Sequence, residues 1–415
     1  MQKIFDRAYE TLIERYAPDG RAPDVRILNR FYSEKAVLQN SALYVRYLDF
    51  FGRLRRVAEA RGEHILLRGT AGSSLVAYLL GATDINPLPP FACCPACRTV
   101  TFYSAGMPLD LRPRPCSCGE PMVADGYDIP FESNLKNVAK SHIQLGVSHA
   151  FFEEVKGMIY DEMWDKAIIT LRNAPVAPTW FCFLDREEND DGDFVSDGNT
   201  ELFAELPRIT LVPVKVLDKY RELEANTGCK IKDISLQDLW DTLPDPIEWC
   251  FDGCAAPSNG FMQSLIQTTA PQSYEDVLKL IGFAHATNVW LDNAEILYDN
   301  HRVSLREIPA YREDLYGMIR DRLQRQGLYD TGLAYDVMEK ARRGYYARSD
   351  GMDGITTSVL MSLGFSMDFL LFLEKIRYMF PKAHGVSYLK EAVIMTYYKE
   401  RFPTEYHAVT SAEAE

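Results

Sequence analysis

At 415 residues and 47% hydrophobic content, the chain can bury a sizeable core and divide into two or three domains. No run approaches the roughly 20 uncharged apolar residues of a membrane span, so no membrane role is expected, and a net charge of −14 argues against non-specific coating of nucleic acid. Nine cysteines, four of them in one short stretch, suit a metal site in a reducing, cytoplasmic setting better than a disulfide framework.

Residues 3–17 read as an amphipathic charged helix, without the apolar run or small-residue cleavage site of a signal peptide. The helical pattern resumes over 33–61, where Tyr44, Tyr47, Leu48, Phe51 and Leu54 recur at three- and four-residue steps. A short apolar segment, His64–Leu67, then runs into Arg68-Gly69-Thr70-Ala71-Gly72-Ser73-Ser74 and a helix over 75–81. Small residues there let the backbone approach a ligand closely, and a helix N-terminus offers N–H groups to an anion. Arg68 and the serines add donors suited to phosphate. The plainer reading is a tight turn; without Gly-Lys-Ser/Thr it is not a Walker A loop. Asn86-Pro-Leu-Pro-Pro90 stops regular structure.

Cys94-Pro-Ala-Cys97, eighteen residues, then Cys116-Ser-Cys118-Gly119 resemble a zinc ribbon, in which four thiolates close a tetrahedral structural site. The second pair is one residue short of the usual spacing, and Cys93 is an adjacent substitute ligand. Residues 133–166 read as helical, with nothing after Glu132 alternating like a strand. Strand patterns follow over 167–171, 179–185 and 208–214. Asp185, Glu187, Asp190, Asp191 and Asp193 between them read as a hairpin turn. Taken as a calcium loop with Gly192 at position six, this stretch has Gly198 where the final Glu is required. Cys250 and Cys254 could form a redox pair or half a zinc site, though buried structural cysteines are the plainer reading. Helices dominate from 215 to about 407. Arginines cluster over 53–68 and 302–348, as basic faces for a phosphate backbone or as solvated helix surfaces balanced by nearby acids.

Several blocks together carry a family resemblance. RGTAGSSLVAYLLGATDINPLPP (68–90), two cysteine pairs, DGYDIPFE (125–132), HATNVWLDNAEIL (285–297) and IRYMFPKAHGVSYLKEAVIMTYYKERFP (376–403) resemble PolC-type bacterial DNA polymerase III alpha subunits in order and spacing. The resemblance covers about 25–132 and 215–408 well and 133–214 poorly. It implies an α+β fold: a reduced polymerase-beta-like nucleotidyltransferase palm with an inserted zinc ribbon, followed by helical fingers. The implied segments are 1–92 (palm with phosphate loop), 93–121 (ribbon), 122–214 (degenerate palm, thumb replaced), 215–408 (fingers) and a frayed tail at 409–415. By the resemblance, Arg68, Gly69, Thr70, Gly72, Ser73 and Ser74 would hold a nucleotide triphosphate. His285, Asn288, Trp290, Lys382 and His384 would face nucleotide and template, and Cys94, Cys97, Cys116 and Cys118 would hold structural zinc.

The departures carry as much weight. In the family, DGHDIPFE is followed by a strand reading P-D-I-D-L-N-F, whose aspartates hold catalytic magnesium, and a third carboxylate lies in L-K-L-D-I-L-G. Here no Asp-x-Asp precedes Asp191, and Val212 stands at the third position. A two-metal clamp needs convergent carboxylates, so magnesium is not expected. The palm strand is expected to end or veer away after Glu132, with 133–166 filling its place. The family's thumb segment, and the regions beyond the fingers that carry clamp binding, are expected to be missing. The leading expectation is a bacterial or phage pseudo-polymerase that binds DNA or nucleoside triphosphate weakly on a replication or mobile-element complex. An active polymerase with displaced carboxylates and a protein-binding module that mimics or inhibits a replicase are the alternatives.

Overall fold

The structure, a computed structural model, describes the chain except residues 19–20, 137–141, 173–178, 186–193, 196–207, 249–259, 300–302 and 412–415. The acidic turn beyond Asp185, and Cys250 and Cys254, lie outside the described residues. The chain divides into two compact units, Met1–Leu243 with Val393–Glu415, and Pro244–Ala392. Packing thus divides the chain near 243, where the motifs divide it near 215.

In the first unit, α1 (Gln2–Tyr16), α2 (Val25–Leu38) and α3 (Ala42–Ala60) come before the sheet. The stripe read as one helix over 33–61 is two, because the chain turns at Gln39–Asn40 and restarts after Ser41. Each helix buries one side: Phe5, Ala8 and Leu12 from α1, Ile27 and Phe31 from α2, Tyr44, Leu48 and Phe51 from α3. β1 (Ile65–Gly69) leads through a tight turn over Thr70–Ser73 into α4 (Leu75–Leu79). A small antiparallel sheet, ordered β3-β2-β4 from β2 (Phe91–Cys93), β3 (Val100–Phe102) and β4 (Val123–Asp125), carries the cysteine segment. Then come α5 (Glu132–Leu135), β5 (His142–Val147), α6 (Phe152–Glu162), β6 (Lys166–Arg172), β7 (Thr179–Asp185), β8 (Phe194–Val195) and β9 (Arg208–Pro213). The main sheet runs β1-β5-β9-β7-β6-β8, with β5 antiparallel to β1 and parallel to β9. Helices α7 (Lys215–Thr227) and α8 (Leu236–Thr242) bring the chain to the unit boundary.

β5 corrects the sequence reading. Residues 133–166 are not one helical block but two helices flanking an interior strand, and the strand after Glu132 does not veer away. Ile143, Leu145 and Val147 are fully buried and alternate with His142, Gln144 and Gly146, the period-two signature of a strand with one buried face. Only three apolar residues mark that period, and the helical pattern of α6 follows closely, so the alternation is short enough to be hidden. The buried face joins Leu67, Ile209, Leu211 and Phe181 to Val155 and Ile159 of α6 in the core.

The second unit contains α9 (Gly260–Thr269), α10 (Tyr274–His285), α11 (Glu295–Asp299), α12 (Arg312–Arg325), α13 (Gly332–Arg342), α14 (Tyr345–Arg348), α15 (Gly354–Ser362), α16 (Met367–Lys375) and the first half of α17 (Lys382–Arg401). Its centre is Tyr311, fully buried, whose hydroxyl donates to the Leu278 carbonyl of α10. Gly282 and Gly385 make room for its ring, since a Cβ at either would overlap it. The last helix, α18 (Pro403–Ser411), runs past the predicted start of the tail. No described helix is long and apolar enough to cross a membrane.

Gly69 ends β1 at φ +92°, and a Cβ there would overlap the His142 carbonyl oxygen of β5. Gly69→Ala is therefore expected to lose at least ~2 kcal/mol in a denaturant melt, combining left-handed strain with strand separation. A loss below ~0.5 kcal/mol would show that the β1–β5 register is not held at this point.

Candidate functional site

The turn from β1 into α4 is built from within. Gly69 turns the chain, and the hydroxyls of the loop all have partners in the fold. Thr70 meets the Tyr44 hydroxyl at 2.9 Å, Ser73 donates to the Thr70 carbonyl at 2.7 Å, and Ser74 donates to Glu34 at 2.9 Å. Ser74 also caps α4 by accepting from the Ala77 N–H. Glu34, buried on α2, takes the Leu75 and Val76 N–H groups at 2.9 and 3.1 Å. The anion that the sequence places at this helix N-terminus is thus the protein's own carboxylate. Arg30, one turn earlier, bonds Glu34 at 2.6 Å and reaches the Ser73 and Ile129 carbonyls. Nothing in the loop's own residues reveals Glu34; an Arg30-x-x-x-Glu34 pair reads equally well as an exposed helix pair.

Beside this loop lies the face of the sheet turned away from the core. In register, Arg68 of β1 stands opposite Gln144 of β5, and Gln144 opposite Thr210 of β9. His142 pairs with Arg208, and Gly146 with Val212. The His142 ring Nε2 lies 2.7 Å from the Thr210 hydroxyl. Burial, helped by the nearby Arg208 charge, pushes the His142 imidazole down to about 4, so it is neutral at pH 7. β1, β5 and β9 contribute no carboxylate at all. Ser141-His142-Ile143-Gln144-Leu145-Gly146-Val147 matches P-D-I-D-L-N-F at the isoleucine and leucine, and sets His142 and Gln144 where that pattern has its two aspartates. Sequence reasoning missed these residues; the alternation of Ile143, Leu145 and Val147 was the available signal.

The blocks around this face are structural. Asp125 accepts from the Asn86 amide at 2.6 Å and the Tyr78 hydroxyl at 3.0 Å, and Asn86 also donates to Tyr16. Backbone bonds from Tyr127, Asp128 and Ile129 to Asn86, Leu88 and Pro87 zip NPLPP against DGYDI. Asp125 is thus engaged in joining these two blocks.

The cysteine segment assembles as the spacing predicts. The ligand atoms of Cys94, Cys97, Cys116 and Cys118 lie within 4.8 Å of one another, with Cys94–Cys118 at 3.5 Å and Cys97–Cys116 at 3.4 Å between sulfurs. A tetrahedral zinc–thiolate site has sulfur edges of about 3.8 Å, given bonds near 2.3 Å. Left-handed Arg98 and Gly119 turn the chain after each pair, and Thr99 bonds hold the Cys97 thiol down at about 6, toward the thiolate a metal needs. Cys93 is not part of the group: its sulfur faces the Arg15 carbonyl, and burial raises it to about 11. The donor set fits a soft divalent ion, and four protein ligands leave no open position for chemistry.

The other predicted residues lie in the second unit. The His285 ring stacks on Phe380 and Tyr388 with centroids 4.6 and 4.8 Å away, and His384 meets the Phe380 edge at 5.6 Å. Lys382 begins α17, its Nζ 3.4 Å from Asp314 and its backbone N–H on Glu313. Asn288 adopts a left-handed turn, and its carbonyl accepts from the Asn293 amide. Trp290 is buried against Phe283 and Tyr298, within the core of its unit. The structure thus groups His285 with His384, and places Trp290 in packing.

Comparison with known proteins accounts for both units. The bacterial DNA polymerase III alpha NTPase domain matches residues 2–145, ending inside β5. DNA polymerase III PolC-type of Thermotoga petrophila is 27% identical over 421 residues, covering 82% of this chain and 30% of the relative. The PolC-type polymerases of Staphylococcus saprophyticus and Streptococcus thermophilus are 26% and 24% identical, each covering 98% of this chain and 33% and 32% of theirs. The chain is a PolC-like homologue, and it spans about a third of the length of these relatives.

Two outcomes follow from these geometries. The folded state resists the proton that an unfolded histidine accepts below about 6.5, so stability is constant above that pH and falls as pH drops toward 4. Thermal melts of wild type and His142→Gln across pH 4–7 should show a steeper acid loss in the wild type; parallel curves would place the acid sensitivity elsewhere. Metal analysis of protein purified without chelator should give one zinc per chain, lost together with stability in Cys97→Ser. Wild-type protein that is folded yet carries no metal as purified would rule the site out.

Proposed function

We propose that this chain is a polymerase-derived protein that holds DNA or a nucleoside triphosphate on a palm-like sheet face without joining nucleotides, in the service of a replication or mobile-element complex. One observation carries the reading: His142, Gln144 and Val212, the positions matching the family's three carboxylates, lie on one face of adjacent strands, and none is an acid. Two-metal phosphoryl transfer depends on carboxylates that hold both ions about 4 Å apart. Losing a single oriented group in an active site costs roughly two to three powers of ten, so losing the whole set removes measurable synthesis. Zinc at the four cysteines would stabilise the fold and take no part in chemistry. We place the ligand contact at Arg68 and Gly69, the part of the loop nearest the sheet face; Arg68 suits a phosphate oxygen. His285, Lys382 and His384 are the proposed contacts of the second unit.

Glu34, by filling the α4 N-terminus, favours one second reading: a protein-binding module that occupies part of a replicase. Primer extension with Mg²⁺ or Mn²⁺ should show no incorporation above a no-enzyme control. Calorimetric titration with primed DNA and with nucleoside triphosphate should show weak binding that Arg68→Ala abolishes and Arg68→Lys partly keeps. Template-dependent incorporation, lost on mutating one local acid, would overturn the proposal. Absence of all binding by folded protein would promote the second reading.

A further inference from the structure

The eighteen residues between Cys97 and Cys116 do more than span the gap between ligand pairs. After β3 they turn at Met107–Leu111, with Met107, Leu109 and Leu111 buried, and return to Cys116. This loop meets α8 in a specific way. The Trp240 indole N–H donates to the Leu109 carbonyl at 3.0 Å, and the Arg112 guanidinium lies over the Trp240 ring at 4.2 Å. An open recess of about 350 Å³ lined by Arg112, Pro113, Gln237, Trp240 and Asp241 lies beside this contact.

Helix α8 needs that attachment. It has seven residues, too few to be stable alone. A Ser235–Asp238 capping box closes its N-terminus, and Leu239 is its one buried side chain. It is also the last helix before the chain enters the second unit at Pro244.

We infer that the four-cysteine site is a metal-dependent clamp on α8, with Trp240 as the positioning residue and a thiophilic divalent cation such as zinc as the ligand that sets it. The inference rests on the metal reading of the cysteines. Bound metal ties Cys97 to Cys116 and closes the loop between them, so Leu109 and Arg112 are held where Trp240 meets them. Without metal, that loop regains conformational freedom and α8 loses its anchor, while β5 and its neighbours keep their packing.

Hydrogen exchange on the full chain tests this, comparing zinc-loaded protein with protein stripped by chelator and assayed for metal. The amides of Leu239–Leu243 should exchange on the order of tenfold faster after stripping, with β5 amides unchanged. In Trp240→Ala those amides should exchange fast with or without zinc, while zinc stoichiometry stays at one. Unchanged α8 exchange in wild type shown to have lost its zinc overturns the clamp. Equal loss of protection in β5 also overturns it, since the coupling would then be global unfolding. No zinc in the loaded protein overturns the metal reading itself, a result separate from either.

Discussion

The carboxylate of Glu34 is where the first unit is tied together. It sits fully buried and receives one guanidinium, one hydroxyl and two backbone N–H groups, so its charge is both paired and hydrogen-bonded. A buried ion pair of this kind gives no guaranteed net stability, but removing one partner leaves an uncompensated charge and costs about 3–5 kcal/mol. Through these contacts α2 fixes the start of α4, and Arg30 fixes both the Ser73 and Ile129 carbonyls. The turn after β1 is therefore set by a helix forty residues earlier in the chain. The strands place the sheet face by their own register, and this link places the turn that leaves it.

How much of this was legible depended on whether the signal was local. The cysteine cluster was, because two close pairs can hardly serve a tetrahedral site in any other way, and the structure brings those four sulfurs together. The helical character of the second unit was legible over 215–407, but its division into separate helices came from the structure, where Ser273 and Ser366 supply caps. β5 was not, because six residues with three apolar positions give a short alternation next to a strong helical one. The role of Glu34 was not, because its partners at 74–76 are distant in sequence. Trp290 illustrates a residue type that sequence cannot place: its matching block implies ligand contact, and in the fold its ring is buried against Phe283 and Tyr298.

The register of β5 with β9 sharpens the comparison with PolC-type polymerases. His142 and Gln144 project to the same side by strand alternation, and Val212 shares it through its pairing with Gly146. The two positions from one sequence pattern and the one from the other thus lie on the same face of the sheet. The identity to these relatives is near a quarter, so side chains have changed widely. In this chain the frame is held by the Asn86–Asp125–Tyr78 network and by Gly69, which turns the loop after β1.

On the proposed reading, the side chains at these three positions make chemical sense as a set. Three carboxylates on neighbouring strands repel one another unless a cation sits among them, so a face built that way depends on metal for its own stability. His142, neutral and 2.7 Å from the Thr210 hydroxyl, needs no ion, and Gln144 and Val212 bring no charge to the face. On the proposed reading, the sheet face needs no magnesium, and affinity for phosphate comes from protein cations such as Arg68. The cysteine segment is the opposite case. Four thiols gathered within 4.8 Å are held best by an ion that takes their protons. On the proposed reading, metal dependence is lost where chemistry would occur and kept where the cysteines hold α8 in the fold.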